Sequence, residues 1–262
     1  MNMSLKVITM SEWLSIGKAP EILFWVGSAG SFDERAKKIT RAFVKILNKA
    51  DVDFGVLGVE ESSSGDVAKR SGNEFLFQMQ ALMNIEILNN YNVKKIVTTC
   101  PHSFNIIKNE YRELGGKYEV LHHTEFIEEI IENGRFEIKN NLIGKRITFH
   151  DPCYLGRAND IYDAPRKLIE RLGVELVEMK RSKNRSFCCG AGGAQMFKEP
   201  EKGNKDINIE RTEEALTLSP DFIATGCPFC NTMMTDGIKN KEKEDDIKVM
   251  DIAEMIAQTQ NL

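Results

Sequence analysis

Ile22-Leu-Phe-Trp-Val26, then Gly27-Ser-Ala-Gly-Ser31, then an amphipathic segment from Asp33 to about Lys49: this stretch sets the fold class. An apolar run of five residues reads as a buried strand, and the small residues after it read as a tight turn. In the segment that follows, Ala36, Ile39, Phe43, Ile46 and Leu47 recur three or four apart, which is helical spacing, and Asp33 stands where an N-cap belongs. The same order recurs along the chain. Asp53-Phe-Gly-Val-Leu57 predicts a second strand, a polar loop spans Glu60 to Gly72, and a long helix runs from Asn73 to Asn90. Lys95-Ile-Val-Thr-Thr99 predicts a third strand ending at Cys100-Pro101-His102, with a helix over Ser103–Leu114.

The second half repeats the plan. Arg146-Ile-Thr-Phe149 reads as a strand running into His150-Asp-Pro-Cys153. A helix over Asp163–Leu172, a strand around Glu175–Glu178 and a helix over Asp206–Thr217 follow. Asp221–Thr225 is the last clear strand; it ends at Cys227-Pro-Phe-Cys230, where one helix starts, and another covers Asp251–Thr259. Strands alternating with helices predict an α/β fold of two pseudo-repeated modules with parallel sheets, ligand loops lying at the C-terminal ends of the strands. The polar stretch Asn133 through Gly144 predicts a boundary, giving modules 1–140 and 141–262.

The 262 residues suffice for one large or two small domains, and 42% hydrophobic with 28% charged residues is an ordinary globular composition. A net charge of -4 with no basic run argues against nucleic acid as a partner. No apolar stretch is long enough to span a bilayer, and the N-terminal stretch Met1–Trp13 is too mixed for a signal peptide. The expected compartment is the cytoplasm, where thiols stay reduced.

Five of the six cysteines form one pattern: Cys153, the adjacent pair Cys188-Cys189, and Cys227-Pro-Phe-Cys230. Each group sits in a loop with Gly or Pro. A structural zinc would take four ligands as two close pairs, but adjacent cysteines make a poor pair and one thiol is left over. A redox disulfide within Cys227–Cys230 explains two residues only. Burial as small hydrophobes explains one or two. An iron–sulfur cluster explains all five, since several irons need several thiolates. Gly190, Gly192 and Gly193 let backbone N–H groups approach the sulfurs, and Arg157, Lys183 and Arg185 either offset the thiolate charge or are solvated surface. His150 and Asp151 beside Cys153 are candidates for proton transfer, for a supporting hydrogen bond, or for ordinary core.

His150-Asp-Pro-Cys153, Cys188-Cys189-Gly190-Ala-Gly-Gly193 and Cys227-Pro-Phe-Cys230 together resemble the CCG domain. This is the cysteine-rich module of a heterodisulfide reductase family and of related bacterial iron–sulfur-binding oxidoreductase subunits. The resemblance covers essentially the whole chain. It implies tandem modules, a non-cubane 4Fe-4S cluster on the five cysteines of each, and a shared pocket where a disulfide is split. The first half departs from the pattern: Ser28, Ser63 and Ser103 stand where related proteins tend to carry cysteine, and only Cys100 remains. A hydroxyl is a poor iron ligand beside a thiolate. The first module is therefore expected to bind no cluster. Cys100 is either a buried remnant or, with His102, His122 and His123, a vestigial metal site.

Two functions of different class follow. One is an oxidoreductase subunit with a single 4Fe-4S cluster, cubane or not, passing electrons between a ferredoxin-type or membrane-anchored redox partner and a small acceptor such as a disulfide or quinone. The other is a non-catalytic scaffold whose cluster or zinc is structural. An apolar stripe on the Asn73–Asn90 helix, formed by Phe75, Leu76, Met79, Leu82 and Met83, is either a docking face for such a scaffold or, as preferred here, ordinary core.

Overall fold

The alternating pattern folds into two parallel sheets, and the computed structural model describes residues 5–199 and 202–262. The N-terminal stretch read against a signal peptide falls partly outside these, at 1–4. In chain order the first half contains β1 (Ile8–Thr9), α1 (Met10–Ser15), β2 (Ile22–Trp25), α2 (Gly27–Phe32), α3 (Glu34–Lys49), β3 (Phe54–Val56), α4 (Asp66–Arg70), α5 (Glu74–Asn90), β4 (Lys95–Thr98), α6 (Pro101–Asn105), β5 (Glu119–His122) and α7 (His123–Glu132). The second half contains β6 (Arg146–Phe149), α8 (Asp163–Arg171), β7 (Glu175–Leu176), α9 (Ile207–Leu216), β8 (Phe222–Thr225), α10 (Pro228–Asn240), β9 (Lys248–Asp251) and α11 (Ile252–Thr259). No helix among the described residues is long and apolar enough to cross a membrane.

The sheet orders make the internal repeat explicit. The first sheet runs β1-β3-β2-β4-β5 and the second β7-β6-β8-β9, every pairing parallel. Without β1 the two orders coincide: β6 corresponds to β2, β7 to β3, β8 to β4 and β9 to β5. In each sheet the strand order reverses between β2 and β4, or between β6 and β8, the position beyond which open α/β sheets bind their ligands. Leu23 pairs with Ile96 in one sheet, and Ile147 with Phe222 in the other.

The two halves share a core. Phe24, Phe43, Phe126 and Ile127 from the first pack in one buried cluster with Ile147, Phe149, Leu168 and Ile256 from the second. α3 packs on α11, and α7 on α8, so each half contributes the same pair of helices to the layer between the sheets. Arg35 on α3 reinforces the seam, donating to both carboxylate oxygens of Glu254 at 2.7 and 2.8 Å and to the Val249 carbonyl.

Several expectations need correction. Gly27–Ser31 is not a turn but lies in helix α2; the Glu61 carboxylate accepts from the N–H groups of Val26 and Gly27 at 3.0 and 2.6 Å, satisfying donors that a helix start leaves bare. The Glu60–Gly72 loop contains α4, entered through Gly65 at φ +87°. The helix expected from Ser103 starts at Pro101, a residue suited to the first helical position because it has no N–H to leave unpaired, and it widens into a π turn over Ile106–Glu110 before a 3₁₀ turn to Leu114. β1, α1, β5, α7 and β9 were absent from the expectations, being short or flanked by polar residues.

The preference for core on α5 is overturned. Phe75, Leu76, Met79, Leu82 and Met83 are exposed, Phe75 to 76%. The buried face is instead Phe77, Ala81, Asn84, Ile85 and Leu88. α5 carries two apolar stripes, and spacing alone does not say which one meets the core.

Candidate metal centre

Each predicted ligand loop follows the C-terminal end of a strand of the second sheet. β6 continues one residue past its end, the His150 N–H donating to the Ala224 carbonyl at 2.9 Å, and this aims the His150–Cys153 loop over the sheet edge. The chain after β7 reaches Cys188-Cys189, and β8 leads to Cys227, which caps α10 with Pro228 at the first helical position. Topology thus brings together loops that are far apart in sequence.

The five cysteines gather at one edge of the second sheet. Cys189, Cys227 and Cys230 are buried, packed with Ala191 and partly covered by Met196, Phe229 and Met233, while Cys153 and Cys188 are half-buried. A neighbouring thiol (Cys188 for Cys153 and Cys189, Cys189 for Cys230), and then burial, push the thiols of Cys153, Cys189 and Cys230 up. Cys188 is held well below the usual thiol range by the neighbouring Cys153 and Cys189 thiols, joined by the Gly190 N–H, which donates to its sulfur at 3.2 Å. Burial opposes charge on Cys227, but the Cys230 thiol and the N–H groups at the start of α10 outweigh it.

Gly190 brings its N–H to Cys188 Sγ; its φ is +93°, and an added Cβ would lie 3.2 Å from Ile207 Cβ and 3.3 Å from Met233 Cε. Gly192 and Gly193 shape the turn instead: the Gly192 carbonyl accepts from Gln195, and Gly193 has φ +66°. Arg157 donates to the Ser186 carbonyl, at the base of the cysteine doublet. Lys183 and Arg185 are exposed.

His150 and Asp151 are buried and paired. Arg211 donates from Nε to His150 Nδ1 at 3.0 Å. Burial, and then the Arg211 charge, bring the His150 imidazole down to about 3. A ring nitrogen of His150 lies with the sulfurs of Cys189 and Cys230 in a group whose atoms are all within 4.8 Å of one another. Asp151 accepts from both guanidinium ends of Arg166 at 2.7 and 2.9 Å and from the Lys183 N–H at 2.8 Å. Its carboxylate therefore ties the Cys153 loop to α8 and to the segment leading to Cys188. Arg211 ties the same segments, reaching the Arg181 carbonyl, Glu214 and Ser186 Oγ. Sequence reasoning missed Arg166 and Arg211. A charged residue on a polar helix reads as surface, and only the fold buries these two.

The first-half counterparts Ser28, Ser63, Cys100 and Ser103 line a cavity whose wall also includes Met196 and Phe229, which pack on the cysteine cluster. Of the histidines considered with Cys100, His102 lines the same cavity. His122 Nε2 meets the Gly226 carbonyl at 2.9 Å, His123 Nε2 meets Asp251 at 3.0 Å, and His102 Nδ1 meets Asp66 at 2.9 Å.

The donor set suits a cluster chemically: five soft sulfurs from three loops at one sheet edge, three of them buried, two of them held towards the thiolate form. A family model described as a cysteine-rich domain, CCG, matches residues 23–108 and 147–235, one match in each half. The chain is 49% identical over 255 residues to a Bacillus subtilis protein named "Probable iron-sulfur-binding oxidoreductase FadF", covering 97% of this chain and 36% of the relative. It is 45% identical over 246 residues to the "EtfAB:quinone oxidoreductase" of Syntrophomonas wolfei, covering 92% and 34%. It is 32% identical over 249 residues to one subunit of the dihydromethanophenazine:CoB--CoM heterodisulfide reductase of Methanosarcina barkeri, covering 92% and 59%. The chain thus spans about a third of the length of the first two relatives.

Proposed function

The chain belongs to the cysteine-rich CCG domain family, and from that premise we propose that it is an iron–sulfur electron-transfer module of an oxidoreductase. One 4Fe-4S cluster is held in the second module, 141–262, by Cys153, Cys188, Cys189, Cys227 and Cys230, and none is held in the first, 1–140. The observation that carries this reading is the packing of Cys189, Cys227 and Cys230 in one buried cluster, with Cys188 next to Cys189 in the chain and the Cys153 thiol sensitive to Cys188. A bound cluster supplies one-electron chemistry. The protein's own groups do the rest. Gly190 N–H, already on Cys188 Sγ, steadies negative charge on sulfur. Met196, Phe229 and Met233 keep water off the buried sulfurs. Asp151 and Arg211 hold the loops in register.

Electrons come from a ferredoxin-type or membrane-anchored redox partner and pass to a small acceptor, a disulfide or a quinone, in the cytoplasm. The names of the relatives support both acceptor classes, one being a quinone oxidoreductase and another a component of a heterodisulfide reductase. Splitting a disulfide with a cluster on each side is not open to a chain with serine at Ser28, Ser63 and Ser103.

The test is anaerobic purification followed by iron, sulfide and zinc analysis with electron paramagnetic resonance. The expected result is about four irons and four sulfides per chain, following the cluster stoichiometry. Serine at any of the five cysteines lowers the iron content, and Cys100→Ser leaves it unchanged. One zinc per chain without sulfide would replace this reading with the scaffold alternative, and the His150, Cys189 and Cys230 group is where such an ion would sit.

A further inference from the structure

The first module holds two of the three cysteine loops of the second. Each half ends an edge strand in the residue that caps the next helix: His122 at the end of β5 caps α7, and Asp251 at the end of β9 caps α11. Thr98 pairs with His122 in the first sheet as Thr225 pairs with Asp251 in the second, so His122 and Asp251 are counterparts in the repeat. Thr99-Cys100-Pro101 and Gly226-Cys227-Pro228 are counterparts in the same way.

His122, His123 and Asp251 meet across the seam, all fully buried. The Gly226 carbonyl only accepts, so His122 donates to it from Nε2 at 2.9 Å. Nδ1 of the same ring then takes the Thr124 hydroxyl proton at 2.7 Å. Burial, and then the neighbouring His123, hold the His122 imidazole well below its usual range, so the ring is neutral and its one proton stays on Nε2. His123 accepts from His122 at Nδ1, 3.2 Å away, and donates from Nε2 to Asp251 at 3.0 Å. The approach is close: a Cβ on Gly226 would lie 3.3 Å from His122 Cε1. The Gly226–Cys227 peptide is planar, so fixing its oxygen fixes the direction in which Cys227 leaves it. This support runs one way. Asp251, the counterpart of His122, offers acceptor oxygens and cannot do the same for the residue before Cys100.

The Cys153 loop is held from the first module as well. α6 passes into its π turn after Asn105, and such turns recur at functional sites. Asn105 and Asn109 reach the loop together, Asn109 donating to Asn105 at 3.0 Å. Asn159 closes the clasp. Its Nδ2 donates to Asn105 Oδ1 at 3.0 Å and to the Tyr154 carbonyl at 2.6 Å, and its Oδ1 accepts from Asn109 Nδ2 at 2.9 Å. Tyr154 follows Cys153 directly, and its ring centre lies 4.8 Å from that of His102. The third loop, Cys188-Cys189, is tied instead within the second module, where Arg157 and Arg211 both donate to Ser186.

We propose that His122 and Asn159 are positioning residues for the metal centre: through them the first module sets the Cys227 and Cys153 loops at the separation that a shared cluster requires. That role rests on the iron–sulfur reading above, whereas the two clamps hold their loops with or without metal. Each clamp acts on its own loop, so each loosens one cysteine and not the other.

The test reads the loops separately. The full chain, purified anaerobically, is assayed with its metal and again after chelation. In the chelated chain a pulse of iodoacetamide is followed by mass spectrometry of each cysteine. His122→Leu is expected to speed alkylation of Cys227 about tenfold, the worth of one buried hydrogen bond in local opening, and to leave Cys153 unchanged. Asn159→Ala, at a half-buried position that the fold tolerates, does the reverse. His122→Gln keeps a donor at similar reach and restores the Cys227 rate. Arg35→Met weakens the seam without touching either loop and leaves both rates as in the parent. With metal bound, His122→Leu and Asn159→Ala speed iron release to a chelator and Arg35→Met does not. An unchanged Cys227 rate in His122→Leu, all cysteines speeding together, no rescue by His122→Gln, or Arg35→Met matching His122→Leu overturns the proposal. Separate responses of the two loops in a parent that binds no iron sink the cluster assignment alone, and iron in the parent with rates that move together sinks this inference alone.

Discussion

The Nε of Arg211 lies 3.0 Å from the Nδ1 of His150, and both residues are buried. A guanidinium only donates, so Nδ1 is the accepting nitrogen and the ring proton sits on Nε2. Burial and the arginine charge hold the imidazole down to about 3, so it stays neutral at neutral pH. With Nδ1 taken, Nε2–H is the nitrogen left to face the group that contains the sulfurs of Cys189 and Cys230. His150 is thus a fixed N–H donor whose tautomer is set from α9.

A donor to sulfur favours the more negative, reduced cluster. His150→Phe is expected to retain iron and lower the reduction potential by on the order of 40 mV, the equivalent of about 1 kcal/mol for one hydrogen bond. Redox titration followed by electron paramagnetic resonance measures it. An unchanged or raised potential would remove His150 from this role.

The Asp151–Arg166 pair is nearly sealed from solvent and bidentate, and Arg166 also donates to Glu178 at 2.6 and 3.0 Å. Removing one partner strands the other's charge. Asp151→Ala should destabilise the protein by about 3–5 kcal/mol and speed iron loss, although no cysteine is altered. Urea unfolding and the rate of iron release to a chelator report the two effects. A variant as stable as the parent would contradict the account of how the loops are held.

Glu61 carries the clearest pH signature away from the sulfurs. Burial raises its carboxyl to about 7, against the pull of the two N–H groups it caps. The folded state therefore binds this proton more tightly than the unfolded chain does. The resulting stabilisation is complete below the ordinary carboxyl pKa near 4.5 and is lost as pH rises through about 7. The shift corresponds to about 3 kcal/mol, which screening of this half-buried residue reduces to about 1–2 kcal/mol. Melting midpoints of Glu61→Gln between pH 5 and 8 should lack the decline seen in the parent. Parallel curves would show that Glu61 does not titrate in that window.

Two substitutions on α5 separate its faces. Leu82→Lys, on the exposed stripe, should change stability by no more than about 0.5 kcal/mol. Phe77→Ala, on the buried face against Gly65, should cost about 3–5 kcal/mol. Chemical denaturation of both variants decides, and a large loss at Leu82 would return that stripe to the core.

The central strands of the two sheets were legible because each is a short run rich in apolar or β-branched residues ahead of a helical pattern, as at Ile22–Trp25 and Arg146–Phe149. β5 and α7 were not, because what makes them possible is remote: buried His122 finds its partner at Gly226 in the other half. The same distance in sequence hid Arg211. Nothing local marks a buried arginine on a helix that also carries Glu210, Glu213 and Glu214.

Chemistry written into residue types was settled along the chain itself. Sulfur at five places and hydroxyls at three counterpart places are properties of the residue types, since ligand softness belongs to the atom and not to its surroundings. Orientation and environment were decided only by folding. Which stripe of α5 is buried, which nitrogen of His150 bears its proton, and the open space around Ser28 and Ser103 beside Phe229 all depend on groups that the backbone brings from elsewhere. Burial, hydrogen-bond partnership and cavity shape are relations between distant residues, and a one-dimensional pattern does not contain them.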